Sequence, residues 1–593
     1  MANNADVSHV EGIRHSLSHL LAAAVLDLYP KAKNTTGPAI ENGFYEDFDT
    51  PEPIPEEDLP KIEAHMRKLL KTWNRFERRE VTPDEARKEF SWNPYKLELI
   101  EDFSRDGKQL TFYTSGKFVD LCRGGHVDDA REINPDAFVL TKVSGAYWRG
   151  DQSKQQLQRI YGVAFETPEE LKRYLTMMEE AKKRDHRKLG RELDLFVFSD
   201  LVGSGLPLFT PRGTVMRQEL AHFAESLREA SGFQRVSIPH ITKTDLYKVS
   251  GHWDKFGHEL FLVKSQETSD QFALKPMNCP HHNQIYASQP RSYRDLPLKY
   301  FETTTVYRDE KTGELGGLMR VRSISQDDSH AYCRPDQLEG VVDSLLADIQ
   351  MLYGTLGLSM SARLSYRDDT DKYLGDRKLW DEAQKIIHDS AERNKLKFFE
   401  APGEAAFYGP KIDIMATDAI GREHQVATVQ VDFVQPERFQ LEYTGEDGTA
   451  QRPVMVHCAI LGSIERFLGV YIEHTAGKFP VWLAPEQVRL LTVNQEQATV
   501  DFAAKMAEQA KKLGLRLVVD NSNESVGKKI RTAELMKVPY VVVIGEKEIA
   551  GGELMPRVRK DLEVSENHKP MTIDEFLKTV AHEVKSRVNK SSL

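Results

Sequence analysis

Between residues 191 and 484 short strand-like runs alternate with Gly and Pro turns, at 298–307, 318–325, 421–433 and 454–461. This texture constrains the chain more than any other feature. Strands that follow one another through turns fold as a mostly antiparallel sheet with helices packed on it. Residues 485–593 read differently. A strand at 488–493, a helix at 499–513, a strand at 515–519, a helix at 526–536 and a strand at 540–544 succeed each other. That β-α-β-α-β order, with continuous Val and Ile runs, implies a small parallel sheet buried on both faces. Residues 1–165 mix helices and short strands and open with an amphipathic helix through His15 and His19 that Pro30 and Gly37-Pro38 end. Residues 166–190 read as one charged, solvated linker helix, with Pro168 in its first turn and Gly190 at its stop. The expected fold class is a multidomain combination of α+β and α/β folds.

The chain has 593 residues, which at about 150 per domain implies roughly four domains and no single core. With 40% hydrophobic and 29% charged residues, disorder along the whole chain is excluded. No run of 18 apolar residues suggests a membrane span, and the apolar run near residue 20 lacks a basic leader, so a cytoplasmic protein is expected. The net charge of −11 argues against a uniform nucleic-acid coat but leaves local basic patches open. Four cysteines cannot build a disulfide framework; they are core thiols, metal ligands or reactive groups.

Within 191–484, Cys279, His330 and His457 are separated by 51 and 127 residues, so no local metal-binding pattern exists. Each alone reads as an ordinary core or loop residue before it reads as a ligand, yet one Cys with two His and an open fourth position is the composition of a catalytic zinc site. Arg308 follows a strand; Arg320, Arg322, Gln326, Asp327 and Asp328 are expected on the strand that returns after a Gly-rich hairpin; Arg466 opens a helix after Gly462-Ser463. Arginine forks at strand ends suit phosphate, although any one of them by itself reads first as a surface ion pair. In the first region His15 and His19 share a helix face, and Cys122 and His126 lie four apart. From the residues alone, these four are either a second zinc site or core histidines beside a buried thiol.

These strings resemble class II aminoacyl-tRNA synthetases. The hairpin with Arg308 and Glu310 resembles their motif 2, Gly462 to Arg466 their motif 3, and the helix over 218–231 leading to Pro239 their motif 1, the dimer element. Met277-Asn-Cys-Pro, Gly317-Leu-Met-Arg-Val-Arg322, Gln326-Asp-Asp-Ser-His330, Phe407-Tyr-Gly-Pro-Lys411 and Ala459-Ile-Leu-Gly-Ser-Ile-Glu-Arg466 occur in the order found in the threonyl branch. The resemblance covers nearly the whole chain from Gly12. It implies a class II antiparallel sheet with flanking helices, an N-terminal α+β editing domain and a C-terminal α/β anticodon-binding domain. It also implies an ATP-dependent threonine–tRNA ligase, acting through threonyl-adenylate, with tRNA(Thr), ATP and L-threonine as partners, Mg2+ accompanying ATP, one Zn2+ per chain and a homodimer.

The same resemblance implies residue roles. Cys279, His330 and His457 would hold zinc, leaving positions for the amine and hydroxyl of threonine. Asp328 would accept from the hydroxyl, Tyr408 contact the amine and Gln326 the carboxylate. Arg308 would hold the α-phosphate, Arg320 serve the phosphates, Glu310 read the adenine amine, and Arg466 stack on adenine. Met277, Lys411, Gln425, Thr428, Gln430 and Ser463 would line the threonine and ATP sites. His15, His19, Cys122 and His126, with Lys96 and Asp120, would line a site that hydrolyses seryl-tRNA without a resting metal. A zinc pocket cannot strongly exclude serine, which lacks only a methyl, a difference of roughly 1–3 kcal/mol. Glu548 and Arg557 would read anticodon bases. The chain departs from the family at His281, Gly316 and Cys458, where glycine, histidine and arginine are usual. Gly125 stands for a common proline and Glu46 for a second tyrosine, and the ubiquitin-like domain that often comes first is expected to be missing. The competing readings are another class II synthetase, such as a seryl or prolyl enzyme, and a non-catalytic tRNA-binding paralogue.

Overall fold

A computed structural model describes residues 8–151, 153–563 and 569–593. It divides into two compact units, the first ending at Glu179 and the second running Glu180–Leu593.

In the first unit, Ser8 begins α1 (His9–Leu28) through a reciprocal cap with Glu11. The apolar face of α1 buries Leu17, Leu20, Leu21 and Val25 against Phe44, Phe48, Ile62 and Met66. The strands are β1 (Gly43–Asp49), β2 (Glu77–Val81), β3 (Leu110–Ser115), β4 (Phe118–Leu121), β5 (Phe138–Tyr147) and β6 (Gln156–Ala164). β6 pairs antiparallel with both β1 and β5, and β3 pairs antiparallel with both β2 and β4. The helix α2 (Pro94–Arg105) starts at Asn93, whose side chain accepts from the Tyr95 and Lys96 amides.

The expected linker helix is two helices, α3 (Pro168–Arg184) and α4 (His186–Glu192). Asp185 breaks it, because its carboxylate accepts from the Arg187 amide and caps a new helix. Gly190 is therefore no stop. It lies inside α4, where a Cβ would come 2.3 Å from the Phe196 ring.

The second unit is built on an eight-stranded sheet. Its strands are β7 (Gln234–Arg235), β8 (Leu298–Tyr307), β9 (Ser323–Cys333), β10 (Ser359–Tyr366), β11 (Phe398–Pro402), β12 (Lys411–Thr417), β13 (Glu423–Asp432) and β14 (Val454–Ser463), in spatial order 7-8-9-14-13-12-10-11. The five inner pairings are antiparallel, and a parallel pairing closes each edge. β9 corrects an expectation: the returning strand starts at Ser323 rather than residue 318 and runs on to Cys333, so Arg320 and Arg322 lie in the preceding turn. The helices that cover this sheet include α5 (Pro211–Ala230), α6 (Leu338–Leu356) and α7 (Ile464–Thr475). Leu346, Ile349, Leu352 and Tyr353 of α6 are fully buried.

Further on, β15 (Val488–Thr492), β16 (Leu517–Asp520) and β17 (Tyr540–Ile544) form a parallel sheet in the order 16-15-17, to which β18 (Arg557–Val558) adds an antiparallel edge.

Candidate active site and a second cavity

The ladder between β9 and β14 sets His330 directly opposite His457. On the other side of β14, Gln430 of β13 also faces His457. Strands about 4.8 Å apart therefore fix the two imidazoles side by side before any side-chain packing is counted. Cys279 reaches them from the first turn of a helix, Cys279–Ala287. One ligand atom from each of the three lies within 4.8 Å of the others. All three are buried. Burial pushes the Cys279 thiol up and the His330 imidazole down, so in a metal-free pocket both are neutral.

The remaining nitrogens are held. His457 Nε2 lies 2.8 Å from Asp432 Oδ2, and the other oxygen of Asp432 accepts the Val434 and Gln435 amides. His330 Nδ1 lies 2.7 Å from His282 Nδ1. A partner on the far nitrogen that fixes the ring is the arrangement of metal-ligating histidines. His281 stands two residues after Cys279, where glycine is usual in the family. Its ring nitrogens are buried without partners, and it is outside the converging group. The neighbour His282 makes the contact instead.

These residues form the floor of a cavity of about 490 Å³ whose wall includes Met277, Arg308, Gln326, Asp328, Tyr408, Thr428 and Gln430. Asn278 donates to Asp328 Oδ2 at 2.9 Å, and the Tyr408 hydroxyl donates to Gln430. His252 also lines the cavity and was not anticipated. Burial pushes it down to about 3, leaving a neutral ring beside the Ser250 hydroxyl at 2.8 Å.

Of the other expected residues, Glu310, Arg320, Lys411, Gln425, Ser463 and Arg466 are outside this wall. Lys411, Gln425 and Thr428 converge on Asp413, which is fully buried and accepts from all three at 2.8, 2.8 and 3.2 Å. Arg363 and Ser365 of β10 add donors to the same carboxylate. Asp413 thus orders one side of the site, a role its place two residues after Lys411 had not suggested. Glu310 accepts from Arg320 Nε at 2.8 Å across the hairpin. Arg466 donates to Met319 O and Gln425 O, both at 3.2 Å, while its amide donates to Ser463 Oγ. Arg308 Nε is 3.4 Å from Pro276 O, with its guanidinium in the cavity.

Two buried supports lie behind these loops. His186 of α4 accepts the Leu318 amide on Nε2 at 3.0 Å and places Nδ1 2.7 Å from Glu473, so one neutral tautomer serves both. Arg228 of α5 is 1% exposed and reaches Cys458 Sγ at 2.9 Å and Asp348 at 3.3 Å. Cys458, where the family usually has arginine, thus lies against an arginine arriving from a helix.

The first unit holds a cavity of about 450 Å³ lined by His15, His19, Glu46, Lys96, Asp120 and Cys122 among others. Cys122 Sγ is 3.5 Å from His15 Nε2 and 3.3 Å from His126 Nε2. The His15 and His126 rings stack at 4.2 Å, and His126 Nδ1 meets Ser16 Oγ at 3.3 Å. His126 is not in this cavity's wall; it stands behind Cys122 and lines a shallow pocket with Ser8 and His9. Burial pushes Cys122 up to about 12 and His126 down to about 2, so the set is uncharged. Lys96 and Asp120, both buried, pair at 2.5 Å.

Of the two expected base-reading residues, Glu548 is engaged locally, accepting the Gly545 amide at 2.9 Å at the start of its helix. Arg557 is exposed on β18 and lines a basic cavity of about 650 Å³ with Lys478, Lys537, Arg559 and Lys560.

Residues 261–475 match the tRNA synthetase class II core domain (G, H, P, S and T), 487–583 the anticodon binding domain, and 110–161 the threonyl and alanyl tRNA synthetase second additional domain. A threonine–tRNA ligase of Gloeobacter violaceus is 50% identical over 95% of this chain and 91% of its own length. The chain belongs to the threonine–tRNA ligase family. The ligase of a Synechocystis species is 47% identical over 98% of this chain and 97% of its own. Among solved structures, the RNA binding domain of threonyl-tRNA synthetase from Cryptosporidium parvum is 35% identical over 69% of this chain and 99% of its own, with a TM-score of 0.64. A Giardia lamblia prolyl-tRNA synthetase, 18% identical over 69% of this chain and 81% of its own at a TM-score of 0.53, shares the fold. The ligase family is therefore assigned across three separate segments, and no helix among the described residues is long and apolar enough to cross a membrane.

Proposed function

We infer that the chain is a threonine–tRNA ligase that activates L-threonine with ATP, transfers it to tRNA(Thr) and hydrolyses mischarged seryl-tRNA(Thr). The observation that carries this reading is the convergence of Cys279, His330 and His457 in the floor of a cavity walled by Arg308, Gln326, Asp328 and Tyr408, in a chain of this family.

The three floor residues fit Zn2+: one thiol and two imidazoles, with Asp432 and His282 on the outer nitrogens. When bound, the ion would supply Lewis-acid positions for the amine and hydroxyl of threonine, a device that rejects valine far better than an apolar pocket can. Asp328, oriented by Asn278, accepts from the threonine hydroxyl, and Tyr408 and Gln326 hold the amine and carboxylate ends. The threonine carboxylate attacks the α-phosphorus, pyrophosphate leaves, and Arg308 stabilises the charge on the phosphoryl oxygens, with Mg2+ accompanying ATP. Arg320 and Arg466 serve the outer phosphates and adenine, and Glu310 reads the adenine amine. Lys411, Gln425, Thr428 and Gln430 form the ordered side, with Met277 and Ser463 at the margins. A terminal ribose hydroxyl of the tRNA then attacks the acyl carbon and AMP leaves.

In the first unit, His15, His19, Cys122 and His126 with Lys96 and Asp120 would place a water against the seryl ester. Arg557, and more weakly Glu548, would read anticodon bases. The domain limits proposed are 1–165, 166–190, 191–484 and 485–593. A cytoplasmic homodimer is proposed as well; exposed Val197, Phe198, Leu201 and Leu208 offer apolar surface beside α5, and light scattering tests the dimer.

Threonine-dependent ATP–pyrophosphate exchange, with metal content measured on the same sample, tests the reading. Exchange specific for threonine with about one zinc per chain is expected. Exchange specific for serine or proline, or tRNA binding without exchange, would overturn it.

A further inference from the structure

The wall of the first unit's cavity contains a carboxyl group that the reading above leaves without a task. Glu46 of β1 is 1% exposed and lines the cavity. Its Oε1 is buried with no hydrogen-bond partner. The cation beside it, Lys96, is already engaged by Asp120 at 2.5 Å, and Asp120 also accepts from Asn34. Space for this group is built in: a Cβ on Gly37 would sit 1.7 Å from Glu46 Oε2, so the loop leaves out a side chain where the carboxyl stands. A buried acceptor without a partner costs free energy unless a ligand completes it. Burial first, and the nearby Asp120 and Asp47 carboxylates after it, hold the Glu46 carboxyl well above the usual range, a cost that an arriving cation would offset.

Which ligand carries a donor cation into this cavity follows from the ester it would receive. An aminoacyl ester presents one fixed positive charge, the α-ammonium, next to the scissile carbonyl. We propose that Glu46 holds the α-ammonium of the aminoacyl ester in this cavity and so is a substrate-binding, specificity-determining residue of the hydrolytic site. The assignment rests on the editing reading above. Beside Glu46 the wall offers the neutral groups His15, His19 and Cys122, the Lys96–Asp120 ion pair, and the cations Lys108, itself paired with Asp106, and Arg123. A carboxylate–ammonium hydrogen bond in such surroundings is strong and directional.

The test uses the full chain and two substrates: seryl-tRNA(Thr) and glyceryl-tRNA(Thr), the same ester with a hydroxyl in place of the ammonium. The unaltered chain should deacylate the seryl ester with a KM at least about tenfold lower than the glyceryl ester. Glu46→Gln should raise the seryl KM about tenfold and leave the glyceryl KM and threonine-dependent exchange unchanged, which reports intact folding. Glu46→Tyr, restoring the residue common at this position, is the second variant should glutamine disturb the strand, and it should also lose the preference for the ammonium. Deacylation that ignores the ammonium in the unaltered chain, or an unchanged KM ratio in both variants, overturns the assignment alone. No deacylation of seryl-tRNA by an exchange-competent chain overturns the editing reading and the assignment together.

Discussion

Two clusters of one cysteine and several histidines, each within 4.8 Å, are built in opposite ways. In the second unit, paired strands carry the histidines, and one nitrogen of each is held, by Asp432 at His457 and by His282 at His330. In the first unit, a helix and a loop carry them; the nitrogens of His15 and His126 point at the Cys122 thiol, the rings stack, and a neutral serine is the outer partner. Ligand composition is nearly the same, so composition does not separate the two. Outer partners do. A carboxylate behind an imidazole fixes its tautomer and raises its basicity toward a cation, whereas imidazoles packed on a thiol leave a neutral wall suited to guiding water.

The sharpest way to break this contrast is to remove each thiol. Cys279→Ala should abolish detectable threonine activation and bound zinc, a loss above about a hundredfold, and spare seryl-tRNA hydrolysis. Cys122→Ala should leave exchange and metal content intact. If metal content falls equally in both, the contrast is wrong. Arg228→Met should be next in size. It strands Asp348 and the Cys458 side of β14 beneath the first cluster, costing about 3–5 kcal/mol. Thermal unfolding should show the loss in the second unit, with recovery on adding Cys458→Arg.

A smaller step tests the outer partners. Asp432→Asn should weaken zinc binding by about 10–100-fold in a chelator competition, whereas Ser16→Ala, behind His126, should not change metal content. His186→Leu should raise the KM for ATP about tenfold with little change in the KM for threonine, because the unpaired Leu318 amide releases the turn that carries Arg320. Equal changes in both constants would place His186 in general folding rather than in that turn. The smallest effect is one of pH. His126 has an unfolded value near 6.5 and is pushed by burial down to about 2, so the stability it contributes is fully present above 6.5 and is lost as pH falls below it. Moving from pH 7.5 to 6.0 should cost the first unit about 0.8 kcal/mol from His126 alone, and His126→Leu should flatten that slope.

Much of this was legible along the chain. Residues 298–307 and 540–544 are strands at the limits their β-branched and aromatic runs suggest, since local propensity and burial agree there. The strings around Cys279, His330 and His457 named the cluster, and the relatives' identity to the chain matches them to a family. The linker helix failed at Asp185 because a short carboxylate competes for backbone amides, which helix periodicity cannot register. The strand after the hairpin was placed five residues early because Arg320 and Arg322 look continuous with it; the hairpin's own turn and the Arg320–Glu310 bond hold them out of the ladder.

By itself, then, the sequence determined the layer types, the Cys and His residues that converge and the family, because periodicity, turn residues and short motifs are local properties. The tertiary structure decided which histidine backs His330, that Asp413 gathers three side chains, that Arg228 reaches Cys458 from a helix, and that one oxygen of Glu46 is buried in a cavity wall without a partner. Each of these depends on contacts between residues far apart in the chain, and strand register, not spacing along the sequence, sets such distances.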